Sequence, residues 1–288
     1  MDIGIGLPST IPGIPGRLIL DWARDAEQAG FSSLGTLDRI VYGNLETVPV
    51  LAAAAGVTER IGLTTAILIG PYRGNGALLA KQLATVDAIA GGRLRVGIAV
   101  GGRADDFEAT GSSFGRRGRN FDAQLTEMRA VWAQQPRGFA GPIGPAPVRA
   151  GGPPLLIGGN ADAAFRRMTE FGAGWIMGGG GPEAFAAGAD RARRAWREAG
   201  RDGQPRLAAL SYVSLGDDAE EHARRYLTNY YAFLGDFAER IAAGALTTPR
   251  RVAETVASFD EAGCDELILF PCNPDTAQVA LIAAAAGV

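Results

Sequence analysis

The chain has 288 residues, 47% hydrophobic and 20% charged, so it can bury one large core or two smaller ones. A formal net charge of −3 provides no basic field for a polyanion, and no stripe of aromatics and arginines is present to stack bases, which excludes nucleic acid as the expected partner. Two cysteines, Cys264 and Cys272, are too few for a disulfide framework or a structural metal, and the start MDIGIGLPST lacks the marks of a signal peptide. No apolar run approaches the ~18 residues of a membrane span, so the expected setting is the cytoplasm.

In chain order, short apolar or β-branched runs alternate with longer amphipathic stretches. The strand-like runs are Asp2–Leu7 (DIGIGL), Ser33–Leu37, Ile61–Ile69 (IGLTTAILI), Leu94–Val100 (LRVGIAV), Leu155–Gly158, Gly174–Met177, Leu207–Leu215 and Glu266–Phe270 (ELILF). Helices are expected near 17–30, 47–57, 76–90, 118–134, 162–172, 183–199, 218–243, 250–262 and 275–286. Eight strands with interleaved helices favour an α/β chain closed as a single (β/α)8 TIM barrel over residues 1–288. Periodicity alone leaves an open doubly wound sheet as the alternative. The Gly/Pro-rich stretch 135–154 (QPRGFAGPIGPAPVRAGGPP) reads as a long loop within that barrel rather than as a linker between domains.

A (β/α)8 barrel builds its active site at the C-terminal ends of its strands. The residues there are Pro8-Ser9, Asp38-Arg39, Pro71-Tyr72-Arg73, Gly101-Gly102-Arg103, Gly158-Gly159-Asn160, Gly178 to Gly181 and Pro271-Cys272-Asn273. The turns GGN and GGGGP each lead into a helix, where backbone N–H groups can approach a phosphate, although tight turns also use glycine for geometry alone. Asp38 and Arg39 follow an apolar strand; they read either as a mutual ion pair or helix cap, or as groups that orient the polar edge of a bound ring. PYRGN places an aromatic face, a cation and an amide (Tyr72, Arg73, Asn75) within four residues.

Other catalytic machinery is scarce. The single histidine, His222, stands in a charged helical stretch (DAEEHARRY) and is expected at the surface, which removes His-based triads and multi-His metal sites. Cys272 is expected to be a buried packing residue, and Asp105 and Asp106 are expected to be solvated or to cap a helix. A mouth with phosphate-ready turns and no strong acid, base, nucleophile or metal set suits a cofactor that carries its own reactivity.

The run IGLTTAILIGPYRGNGALLAKQLATVDAIAGGRLRVGIAVGG (61–102) resembles the third-to-fourth-strand core of the luciferase-like flavin monooxygenase superfamily. AEQAGFSSLGTLDR, FEATGSSFGRRGRNFDAQLTEMRAVW, PPLLIGGN, FGAGWI and AETVASFDEAGCDELILFP extend the likeness along the chain. The resemblance implies a barrel that binds FMN or the deazaflavin coenzyme F-420 and performs hydride or oxygen chemistry on a small organic substrate. It also implies a homodimer, with a flavin reductase as electron source. It places a non-prolyl cis peptide at Ala66-Ile67 behind the ring and the phosphate on Gly158, Gly159 and Asn160, with Arg119 of RRGR within reach. Leu7, Gly101, Met177, Gly178 and Gly179 complete the expected cofactor contacts, and Asp38, Arg39, Tyr72, Arg73 and Asn75 the catalytic set. Departures are visible too. Arg39 stands where many members have histidine, and Gly102 stands where the deazaflavin sugar-phosphate dehydrogenases have glutamate, which argues against sugar-phosphate oxidation. A flavin-binding barrel without turnover, or a cofactor-free lyase or isomerase acting on a phosphorylated metabolite, are the competing readings.

Overall fold

The computed structural model describes all 288 residues, Met1–Val288. Eight parallel strands close in sequence order, β1 (Asp2–Gly6), β2 (Ser33–Thr36), β3 (Gly62–Ile69), β4 (Leu94–Ala99), β5 (Leu155–Gly158), β6 (Gly174–Met177), β7 (Arg206–Val213) and β8 (Glu266–Pro271), with β8 pairing back to β1. The closed (β/α)8 barrel therefore holds, and the open sheet is ruled out. Closure explains the strand composition. A parallel strand wrapped by helices is buried on both faces, so its sequence is largely a continuous apolar run, such as LLIG of β5 or the LILFP that follows Glu266 in β8, rather than an alternation.

The surrounding helices are α1 (Arg17–Ala29), α2 (Thr47–Ala55), α3 (Gly76–Ile89), α4 (Ala104–Ala109), α5 (Arg117–Trp132), α6 (Asp162–Phe171), α7 (Pro182–Glu198), α8 (Ala219–Tyr230), α9 (Phe237–Ala243), α10 (Pro249–Glu261) and α11 (Ala277–Ala286). The Gly/Pro-rich stretch runs from the end of α5 to the start of β5. The long helix expected over 218–243 divides into α8 and α9. Tyr231 breaks away to meet Tyr212, hydroxyl to hydroxyl at 2.7 Å, and Gly235 at φ 55° turns the chain back. None of the helices is long and apolar enough to cross a membrane.

Two features shape the barrel. The first is β3, whose register against β4 shifts between Thr65 and Leu68, with the Ala66–Ile67 peptide cis as the resemblance implies. At the shift Thr65 donates through Oγ1 to the Gly97 carbonyl at 2.7 Å, and a Cβ on Gly97 would run into the Thr65 carbonyl oxygen. Only glycine on β4 lets the bulge form. The second lies at the opposite end of the barrel, where fully buried Glu266 accepts from Ser33 (2.6 Å) and Ser32 (3.0 Å) and pairs with Arg95 (2.8 Å) and Arg206 (3.1 Å). That network satisfies the buried carboxylate at the barrel base.

Candidate functional site: the mouth of the barrel

A cavity of about 270 Å3 opens at the C-terminal strand ends. Its floor is Ala66 and Ile67 of the β3 bulge, its walls include Leu37, Ile69, Phe107 and Leu210, and Tyr230, Tyr231 and Phe233 from the α8–α9 turn cover it. These side chains arrive from β2, β3, β4, β7 and α8, far apart in sequence, because each strand of a barrel delivers its last residues to the same rim.

Asp38 and Arg39 both line this cavity and are buried, but they do not pair with each other. Asp38 accepts from Arg73 at 2.8 Å and from the Ile69 N–H at 2.8 Å, and lies 3.3 Å from Thr47 Oγ1. Arg73 also pairs with Glu46 at 2.6 Å. Burial opposes the Arg73 charge, yet the Asp38 and Glu46 carboxylates win and raise its pKa. Arg39 instead donates to the carbonyls of Tyr230 and Val41, each at 2.7 Å, with its guanidinium 4.6 Å from the Tyr42 ring centre and 5.2 Å from that of Tyr230. Burial, followed by repulsion from Arg103, lowers its pKa.

Tyr72 lies 5.6 Å from Phe107, edge to face, and its buried hydroxyl, beside Asp38, makes no close hydrogen bond of good geometry. Burial first, then the nearby Asp38 charge, push its pKa far up, so the phenol stays protonated and can donate to Asp38 or to what enters the cavity. Gly101, at φ 77°, lines the same wall, where a Cβ would stand 2.5 Å from Ile69 Cγ2. Gly158 is buried below it, and a Cβ there would come within 2.8 Å of Ile67 Cδ1 and 3.1 Å of the Ala99 methyl.

The remaining expected residues lie elsewhere. Asn75 is exposed and caps α3, accepting from the Leu78 N–H at 3.0 Å. Arg119 is exposed on α5. Leu7 and Met177 pack into the main core. Gly159 and Asn160 are exposed at the rim, and Gly178 and Gly179 line a second lobe, which shares Gly178, Leu210 and Tyr231 with the first.

Two residues exceed the expectation. Asp106 stands in the first turn of α4, as the helix-start alternative has it, but is buried, accepting from the N–H groups of Ile40 (3.1 Å) and Val41 (2.7 Å), so that it holds the loop after β2 against α4. Arg103 pairs with Asp105 and lies 3.5 Å from Asp106, its guanidinium 3.8 Å from the centre of the Phe233 ring. Both lie in the strand-end segment after β4, and that position was the available signal. His222 is half-buried on α8 beside Arg225, at 2.9 Å. Burial holds the Cys272 thiol well above its usual range and pushes Cys264 up to about 12, so neither is a thiolate nucleophile. No group of three or more His, Cys, Asp or Glu side chains is placed to hold a metal.

Comparison with known proteins decides the family. The model of the luciferase-like monooxygenases matches residues 1–269. The chain belongs to that family. An uncharacterized protein of Mycobacterium tuberculosis is 31% identical over 209 residues, 62% of this chain and 71% of that one. The FMNH(2)-dependent dimethylsulfone monooxygenase of Pseudomonas putida is 27% identical over 226 residues, 73% of this luciferase-like chain but 61% of the relative. Among solved structures, monooxygenase RslO1 from Streptomyces bottropensis superposes with a TM-score of 0.82 at 22% identity, covering 98% of each chain. An F420-dependent secondary alcohol dehydrogenase in complex with an F420-acetone adduct follows at 0.79 and 20%, covering 99% of this chain and 96% of its own. At these identities the structural likeness is one of fold.

Proposed function

We propose that this luciferase-like protein is an oxidoreductase that binds FMN or the deazaflavin coenzyme F-420 at the mouth, the ring in the first lobe over Ala66 and Ile67 and the phosphate at Gly158–Asn160. One observation carries this reading: the acidic groups of the lobe, Asp38 and Asp106, are already engaged by guanidinium and backbone N–H groups. The lobe therefore offers shape, apolar walls and hydrogen-bond donors but no free base, nucleophile or metal set, as suits a group with reactivity of its own.

The residues present fit such a group. Gly158 leaves the space beside Ile67 that a methyl group would fill, and Gly159, at φ 115°, keeps backbone exposed at the rim. The Tyr72 hydroxyl is a protonated donor beside Asp38, and Arg39 and Arg103 each carry N–H groups without an acceptor. Phe107, Tyr230 and Phe233 give the lobe an aromatic wall that would shield a bound ring from water. A bound cofactor would supply hydride exchange or, as FMN, oxygen chemistry, to a small organic substrate. With FMN, a separate flavin reductase would deliver the electrons, in keeping with the FMNH(2)-dependent relative.

Fluorescence-monitored titration of the purified protein with FMN and with coenzyme F-420 tests the reading and selects the cofactor. One of them should bind with a Kd well below about 1 mM. Gly158→Val should weaken that binding at least tenfold while the circular dichroism spectrum is unchanged. Failure of both cofactors to bind refutes the proposal.

A further inference from the structure

The mouth continues past the first lobe into a second of about 640 Å3, walled by Phe237, Ile241, Leu246 and Phe259. Its charge is one-sided. Arg240 on α9 and Arg251 on α10 line it and no aspartate or glutamate does, in a chain whose net charge is −3. The carboxylates nearest in sequence are taken by other arginines: Glu239 pairs with Arg224 at 2.9 Å and Glu254 with Arg250 at 2.7 Å. Arg240 and Arg251 are left with no ion-pair or side-chain hydrogen-bond partner, and the Arg240 guanidinium lies over the Phe237 ring at 4.5 Å. On the facing wall, none of the N–H groups of Gly178 to Gly181 donates to a backbone carbonyl.

Unpaired guanidinium groups and free N–H groups around an apolar cavity match an anionic head on an apolar body, because guanidinium recognises carboxylate and phosphate through paired hydrogen bonds. We infer that the second lobe is the substrate side of the mouth and that the substrate is a small organic anion whose carboxylate or phosphate head is held by Arg240 and Arg251. The inference rests on the cofactor occupying the first lobe. It places the substrate's apolar body across Gly178, Leu210 and Tyr231, the residues common to both lobes.

Isothermal titration calorimetry at low salt tests this with three probes of one shape: phenyl phosphate, benzoate and uncharged phenol. At least one anion should bind with a Kd near or below about 1 mM, and phenol at least tenfold more weakly. Arg240→Gln combined with Arg251→Gln should remove about tenfold or more of the anion affinity. Both side chains are exposed, so the variant should keep its thermal midpoint. The cofactor that binds in the titration above should bind equally well to wild type and variant, as should its phosphate-free form. Anions that bind no better than phenol, or equally well to the variant, overturn the inference. Loss of cofactor affinity with no loss for the phosphate-free form also overturns it, by assigning the arginines to the cofactor's own phosphate. Failure of the cofactor reading looks different: neither cofactor binds, whatever the anions do.

Discussion

Asp38 is the most consequential side chain to remove from the mouth. Its side chain is 1% exposed and meets Arg73, 12% exposed, at 2.8 Å, while its other oxygen takes the Ile69 N–H just beyond the β3 bulge. Asp38→Asn keeps the shape but leaves the guanidinium with Glu46 alone, whose side chain is 41% exposed. Removing one partner of a buried pair costs about 3–5 kcal/mol, and the surviving Glu46 contact reduces that to about 2–3 kcal/mol. For a chain of this length the entropy of unfolding near the midpoint is about 0.6 kcal/mol/K, so the midpoint should fall by about 3–5 °C in differential scanning calorimetry. Adding Arg73→Met should restore part of the loss, with a coupling energy of about 1–2 kcal/mol, because the uncompensated charge is removed as well. Cofactor affinity should fall in the single variant, since Ile69 borders the first lobe. A midpoint within about 1 °C of wild type for Asp38→Asn, or strictly additive effects of the two substitutions, would refute the claim that this pair anchors the rim.

Three further outcomes follow from the same geometry. Gly97→Ala puts a methyl group against the Thr65 carbonyl, so we expect a loss of about 1–3 kcal/mol by chemical denaturation together with weaker cofactor binding; unchanged stability would show that the bulge does not depend on Gly97. Tyr231→Phe removes the partner of the Tyr212 hydroxyl, which should lower stability by about 1–3 kcal/mol, whereas Tyr212→Phe combined with it should cost less than the two singly; additivity would count against the pair. Asp87 is fully buried with neither carboxylate oxygen in good hydrogen-bond geometry, and burial raises its pKa. A raised carboxyl pKa means the native state holds the proton more tightly than the unfolded chain, so this group's stability contribution is lost as pH rises through its folded value. Asp87→Asn should therefore raise the thermal midpoint at pH 8 more than at pH 4, and an equal shift at both would refute the assignment.

The strands were legible because burial on both faces writes a parallel strand as a largely unbroken apolar run, and all eight runs lie where β1 to β8 form. Of the residues expected at a site, Asp38, Arg39, Tyr72, Ala66, Ile67, Gly101 and Gly178 line one cavity. Partnership was not legible. Asp38 stands next to Arg39 in sequence yet pairs with Arg73, while Asn75, three residues beyond Tyr72, is spent on a helix cap. Nor did spacing separate Asp106, buried under the loop after β2, from its neighbour Asp105.

Local pattern by itself thus determined an α/β chain of eight strands with glycine-rich and polar strand ends, while leaving barrel and open sheet both standing, because burial periodicity and turn chemistry act over a few residues. Only the tertiary structure decided which rim side chains are already satisfied and which are left with free donors: Arg39 and Arg103 in one lobe, Arg240 and Arg251 in the other. That distinction depends on pairings far apart in sequence, such as Arg39 with Tyr230, 191 residues away, and no local rule carries them.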